Sequence, residues 1–183
     1  MKLPSRGFTL IELMVTIGVA AILAGIAVPA FRNFLLNDRD AGQVNSLISS
    51  FSYARSEAVK RASANGITVC PSPNGLVCGG TNWRGGWIVT YIDPLNAANN
   101  RVLQAVPALG GTNTVTPVAG PATGITFSSS GMTRAPPPGL TIRICDARGP
   151  AFARQVEVLS TGRVAASQTA GFAVDGATPL ACP

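Results

Sequence analysis

Histidine is missing from all 183 residues. Its absence removes Ser–His and Cys–His nucleophile pairs, and imidazole metal sites with them. Charge is scarce too: only 12% of residues are Asp, Glu, Lys or Arg, against about a quarter in an ordinary soluble domain. Past residue 7 there is a single lysine, Lys60, among scattered acids. Neither a general acid–base pair nor an activated nucleophile can be picked out, so no enzyme and no cofactor is expected. Gly79-Gly80 and Gly85-Gly86 flank Trp83 but lack the lysine of a phosphate-binding loop, and they read as turns. A zinc site is not expected either, because the four cysteines lack C-x2–4-C pairs.

A chain of this length holds one ordinary domain plus one long appendage. With so little charge, much of its apolar excess must lie away from a water-facing surface, and the N-terminal region shows where. Residues 13–31 are 19 consecutive uncharged positions, mostly Leu, Ile, Val, Ala, Met and Phe. At about 1.5 Å per helical residue they approach the roughly 30 Å of a bilayer core. The short basic stretch before them, with Lys2 and Arg6, stays cytoplasmic by the positive-inside rule and leaves the rest of the chain outside that membrane. A secretory signal peptide would have a shorter apolar run of about 7–15 residues and a small-x-small cleavage site after it. Here the run is followed by Arg32-Asn33-Phe34-Leu35-Leu36, and helical periodicity continues.

Glu12 stands at the leading end of this run. A carboxylate in such a place costs about 2.5–3.5 kcal/mol, so it needs either a route to the headgroups or a partner. Pro29 lacks an N–H and its ring crowds the carbonyl of Gly25, so a kink or a locally melted turn is expected there.

Beyond Pro29 the pattern turns one-sided. Val44, Leu47, Ile48, Phe51, Ala54, Ala58 and Ala62 recur at spacings of three and four, the stripe of an amphipathic helix facing a core. Arg39, Gln43, Ser46, Ser50, Arg55, Glu57, Lys60 and Arg61 fill the other sides, and Asn65-Gly66 reads as the stop. One helix over residues 8–64 would be roughly 80 Å long. Its first part, 8–36, is expected to be buried in lipid or filament, and its second, 37–64, to be the spine of a head.

Residues 65–183 are rich in Gly, Pro, Thr, Ser and Asn, with strand-like runs at 67–70, 87–92, 125–127, 140–145 and 154–159. Ile142 and Ile144 alternate with Arg143, and Val156 and Val158 with Gln155 and Glu157. Such alternation predicts antiparallel strands with one face on the helix stripe. Residues 96–121 read as a mobile loop or a short added hairpin. Ala135-Pro136-Pro137-Pro138-Gly139 reads as a stiff polyproline connector. Four cysteines beyond a membrane anchor suit an oxidising compartment. Three connectivities are open. The pairing adopted is Cys70–Cys78, closing a short turn, with Cys145–Cys182, tying the C-terminus to a strand; chain entropy assigns them about 2.5 and nearly 4 kcal/mol.

Arg6-Gly7-Phe8-Thr9-Leu10-Ile11-Glu12-Leu13 resembles the class III signal of type IV pilins and type II secretion pseudopilins. The resemblance implies a leader of residues 1–7 cut by a prepilin peptidase between Gly7 and Phe8, N-methylation of Phe8, and a filament-assembly role for Glu12. It also implies a single-pass anchor in the bacterial inner membrane, a periplasmic head, and later residence in an extracellular pilus. Pro29 falls where many pilins carry a helix-perturbing proline. The implied fold class is α+β, a long N-terminal helix packed on an antiparallel β-sheet head.

In the head, Cys70…Cys78…Trp83…Gly86-Trp87, then Phe127-Ser128-Ser129-Ser130-Gly131, Ile144-Cys145-Asp146 and Ser160-Thr161-Gly162-Arg163 are similar to minor pilins of the FimU/FimT type, which share a domain with the H-type pseudopilin. FimU-like members imply a role in priming pilus assembly at the tip, with other minor pilins and the major pilin as partners. FimT-like members imply DNA binding for uptake through a Gly-Arg-x-Arg motif. Here that stretch is Gly162-Arg163-Val164-Ala165, without the second arginine. Arg143, Arg148, Arg154 and Arg163 are the candidate nucleic-acid contacts. Losing Lys2 and Arg6 lowers the formal charge from +6 to +4, which would support only weak, salt-dependent phosphate contact.

Overall fold

The computed structural model describes residues 7–62, 65–93, 95–134 and 139–182. The leader residues 1–6, the connector residues 135–138 and the last two residues of the helix expected to reach 64 lie outside the described residues. The chain divides into two compact units, Met1–Arg39 and Asp40–Pro183.

Helix α1 (Leu10–Lys60) runs unbroken through Pro29. The local melting expected at this proline does not occur, because a proline removes one donor from a ladder whose other bonds persist. In the first unit every residue of 7–35 is exposed, and α1 is long and apolar enough to cross a membrane. In the second unit α1 buries Val44, Leu47, Phe51, Ala54 and Ala58, the expected stripe, whereas Ile48 is half-buried and Ala62 exposed. Four polar residues are buried as well: Asp40, Gln43, Ser50 and Glu57. The last three fall seven residues apart, so they share one line of the buried face. Each is tolerated there because it finds a partner. Ser50 Oγ, for instance, accepts from Trp87 Nε1 at 2.9 Å.

The helix stops at Lys60, short of Asn65-Gly66, and Ala62 has φ +46°. Glu57 holds this end, with Arg61 at 2.6 Å and Lys60 at 3.7 Å. Gly66 serves another purpose: at φ +79°, a Cβ on it would lie 2.4 Å from the Phe127 carbonyl oxygen, so only glycine lets β1 and β5 approach there.

Among the described residues nine strands follow: β1 (Ile67–Pro71), β2 (Trp87–Tyr91), β3 (Arg101–Val106), β4 (Thr114–Ala119), β5 (Ile125–Phe127), β6 (Thr133–Arg134), β7 (Leu140–Cys145), β8 (Arg154–Val158) and β9 (Val164–Ala166). They form two antiparallel sheets, ordered β3-β2-β1-β5-β6 and β4-β7-β8-β9. The 96–121 stretch is therefore neither a free loop nor a hairpin. Its two strands belong to different sheets, β3 beside β2 and β4 beside β7, so the segment is the crossover between them. Gly110 and Gly111 pin it, their carbonyls accepting from Gln43 and Arg84.

Both sheets contribute to one core with the helix stripe, including Ile67, Val69, Trp87, Ile125, Phe127, Ile142, Ile144, Val156 and Val158. At its centre Phe51, Trp83 and Trp87 meet in sequence as tilted pairs, with centroids 5.9 and 6.4 Å apart and within the attractive range for aromatic pairs. Trp83 Nε1 donates to the Ala122 carbonyl at 2.9 Å, so neither indole leaves a donor unpaired. Cys70–Cys78 and Cys145–Cys182 are bonded, with Cα atoms 5.5 and 6.0 Å apart.

Candidate functional site

The leading end of α1 has defined chemistry. Thr9 precedes the first helical residue, where an N-cap belongs. Its amide and hydroxyl both donate to Glu12 Oε2, at 2.8 and 2.7 Å, and the Glu12 amide donates to Thr9 Oγ1 at 3.3 Å. This is a capping box, Thr-x-x-Glu, closing donors that a helix start leaves open. It was readable in the sequence as Thr9-Leu10-Ile11-Glu12. Its consequence is that the Glu12 carboxylate is turned back toward the residues just before the helix. Gly7 and Phe8 are exposed.

A second polar assembly lies inside the head. The turn after β7 folds Arg148 back on Asp146, whose carboxylate accepts from the Arg148 amide at 2.9 Å and from Nε at 2.6 Å. The guanidinium also reaches Asp40 Oδ2 at 3.1 Å and covers the Phe152 ring at 4.1 Å from its centroid. Asn113 Nδ2 donates to Asp40 Oδ1 at 2.6 Å and to Gln43 Oε1 at 2.9 Å. The Arg148 side chain is only 12% exposed, Asp40 6% and Asp146 fully buried. Burial, reinforced by the charge of Asp146, raises Asp40 above its ordinary value despite the Asn113 hydrogen bond. Burial also works against ionised Asp146, but the hydrogen bonds and charge of Arg148 outweigh it and hold Asp146 low. The assembly clamps the crossover and the β7–β8 turn to the helix.

The structure places Arg148, one of the four candidate nucleic-acid contacts, between Asp40 and Asp146. The four candidate arginines are not gathered into one face by any contact among them. Arg143 on β7 donates to the Ala181 carbonyl, and Arg154 at the start of β8 donates to Gln168 O at 3.2 Å. Only Arg163, in the β8–β9 turn, is exposed. The cations near it come from the helix: Arg55 and Lys60 line a groove with Val59 and Arg163. The sequence stripe put both on the outward side of α1, without a sign of which turn they would meet. Among the described residues, no three of His, Cys, Asp or Glu come together to hold a metal.

Comparison with known proteins adds to this geometry. The family model described as Type II transport protein GspH matches residues 43–162, and the prokaryotic N-terminal methylation motif matches residues 3–28. Prepilin peptidase-dependent protein D of Escherichia coli (strain K12) is 32% identical over 123 residues, covering 66% of this chain and 78% of that one. The type IV major fimbrial protein FimA of Dichelobacter nodosus is 36% identical over 56 residues, 27% of this chain and 36% of that one. The crystal structure of the type IV minor pilin FimU of Pseudomonas aeruginosa superposes with a TM-score of 0.56 at 21% identity, over 74% of this chain and 98% of that chain; the likeness is one of fold. The chain therefore belongs to the GspH family, with a prokaryotic N-terminal methylation motif at the start of its helix.

Proposed function

We propose that the chain is a FimU-like minor pilin that helps prime assembly of a type IV pilus and remains in the filament at or near its tip. The observation that carries this is the exposed apolar segment 7–35 with one carboxylate, Glu12, held at its leading end by Thr9. A surface of that size is satisfied only by lipid or by other apolar helices. Prepilin peptidase cleavage after Gly7 frees an α-amine on Phe8, which N-methylation leaves cationic. Between packed helices, Glu12 of one subunit neutralises that amine on its neighbour. Because an unpaired charge in an apolar bundle is expensive, the pairing rewards one register.

The Glu12→Ala variant tests this. Mass spectrometry should find its leader removed at Phe8 as in the parent, while its share in sheared filaments falls by about tenfold or more, the cost of an uncompensated amine. Equal incorporation of the variant would remove the reading.

The H-type pseudopilin of a secretion machine is the second reading, favoured by the GspH family match over 43–162. Co-isolation with pili rather than with secretion components separates the two. The DNA-receptor reading has less support, since Arg148 is half-buried against Asp40 and Asp146, and Arg143 and Arg154 are tied to carbonyls.

A further inference from the structure

We propose that the outer edge of β3 is a docking site, where an extended, carboxylate-bearing segment of another pilin-type subunit adds a strand to the first sheet. The partner's identity rests on the filament reading above; the site itself rests on the sheet edges.

Two open sheets leave four edges, and proteins commonly blunt such edges by shortness, proline, bulges or charge. Here β6 has two residues and β9 three. β4 carries Pro117, which has no N–H to offer, and its register shifts between Pro117 and Ala119. β3 is the least defended of the four: six residues, Arg-Val-Leu-Gln-Ala-Val, with no proline and a single charge at its first position. Like β4 it has one register shift: Leu103 is the extra residue between Val102 and Gln104, which pair with Thr90 and Val89. Among the described residues, no strand pairs with its outer side. Folding does not demand this bare apolar edge. The inner edge is already paired to β2, and Leu103 and Val106 supply the packing against the core. Val102, 39% exposed, and Ala105 supply almost none.

Beside the edge is a shelf for an added strand's side chains. Leu76 and Val77 stand out at 70% and 62% exposed. They lie in the loop closed by Cys70–Cys78, and this loop is rigid. Asn74 Oδ1 accepts from the Leu76 and Val77 amides at 3.0 and 3.2 Å, and Ser72 Oγ donates to the Val77 carbonyl at 2.6 Å. Together with Ile92 and Val102 they line a hollow of about 90 Å³, room for one small apolar side chain. Main-chain bonds from an edge plus side-chain pockets beside it are what strand addition uses.

Charge selects the occupant. Arg101 opens the strand, and Arg84, whose guanidinium donates to the Gly111 carbonyl, lies at its other end, where its own carbonyl receives the Leu109 amide. The nearby Asp93 carboxylate is occupied by the Leu95 and Asn96 amides and by Asn99. A partner strand therefore brings its own carboxylate. A second copy of this chain pairing β3 to β3 would bring none.

The test uses the full chain in cells that make filaments. A photoreactive p-benzoylphenylalanine at Ala105 should cross-link to an extended, acid-containing segment of another pilin-type subunit, mapped by mass spectrometry. The same group at Ala165 on β9 should not. Val102→Lys should lower the share of the chain in sheared filaments by about tenfold, through a charge on a strand edge, with the urea midpoint of the purified protein unchanged. Should that midpoint fall, Ala105→Lys replaces it. Cross-links only to a second copy, no cross-link, or normal incorporation of the stable lysine variant would each overturn the docking site. Glu12→Ala run alongside separates the two claims: its normal incorporation defeats the filament reading, whereas its exclusion beside a normally incorporated Val102→Lys defeats only the docking site.

Discussion

Replacing Arg148 with alanine is expected to destabilise the head by about 3–5 kcal/mol, the usual cost of removing one partner from a buried ion pair. Among the described residues its guanidinium is the one group of opposite sign placed against two buried carboxylates, Asp40 at 3.1 Å and Asp146 at 2.6 Å. Alanine would leave both uncompensated and also remove the contact with the Phe152 ring, worth about 0.5–2 kcal/mol in such settings. Because Trp83 and Trp87 are fully buried, indole fluorescence through a urea titration reads the loss directly. A loss below about 1 kcal/mol would place the cluster with exposed pairs, whose contribution is that small.

The same cluster fixes the sign of a pH dependence. Asp40 is raised above its ordinary 3.8 by burial and by Asp146, so the folded head binds a proton there more readily than the unfolded chain. Its ionisation destabilises the head, and stability rises as pH falls through the raised value toward 3.8. Asp146 is held low, so its contribution is intact above 3.8 and disappears as pH falls further. Stability should therefore peak in mild acid rather than at neutrality. In Asp40→Asn the rise on the acid side of neutrality should vanish while the fall below 3.8 remains, read from urea midpoints at stepped pH. A rise that persists in this variant would assign it to another group.

What the sequence made legible was whatever depends on local pattern. Leu47, Phe51, Ala54 and Ala58 announce their face by spacing, and Ile142/Ile144 and Val156/Val158 announce theirs by alternation; all eight are buried. What it concealed depends on partners far along the chain. Ser50 is polar and lies at the core because Trp87, 37 residues on, needs an acceptor. Gln43 is buried because Gly110 and Asn113 meet it. Arg148 looked like surface charge although Asp146 stands two residues before it, and the deciding contact, Asp40, is 108 residues away. β3 and β4 were foreseen at most as a hairpin, because their partners β2 and β7 lie in different sheets and local pattern does not show that. At the N-terminus the apolar run was plain, whereas the Thr9–Glu12 cap was missed although its spacing was there to read.

Gly162→Ala is expected to cost at least about 3 kcal/mol, although it adds a single methyl group to a turn. Two effects compete for the explanation. Gly162 has φ +76°, and left-handed backbone costs a residue with a Cβ roughly 1–2 kcal/mol. A Cβ there would also fall 1.8 Å from the Gly131 carbonyl oxygen and 3.2 Å from Arg55 Nε. That oxygen already accepts from Arg55 Nε at 3.1 Å. Ser128-Ser129-Ser130-Gly131 and Ser160-Thr161-Gly162 thus meet back to back over the helix, joined by the Thr133 amide donating to the Ser160 carbonyl at 3.0 Å. Relief of the clash must part the two turns or break the arginine's bond, since a backbone carbonyl cannot swing aside as a side chain does. Gly176→Ala isolates the first effect, having φ +73° and nothing within 4 Å of its Cβ; about 1 kcal/mol is expected there. If urea midpoints show equal losses for the two variants, backbone strain alone accounts for Gly162, and the contact between the turns is not what requires glycine.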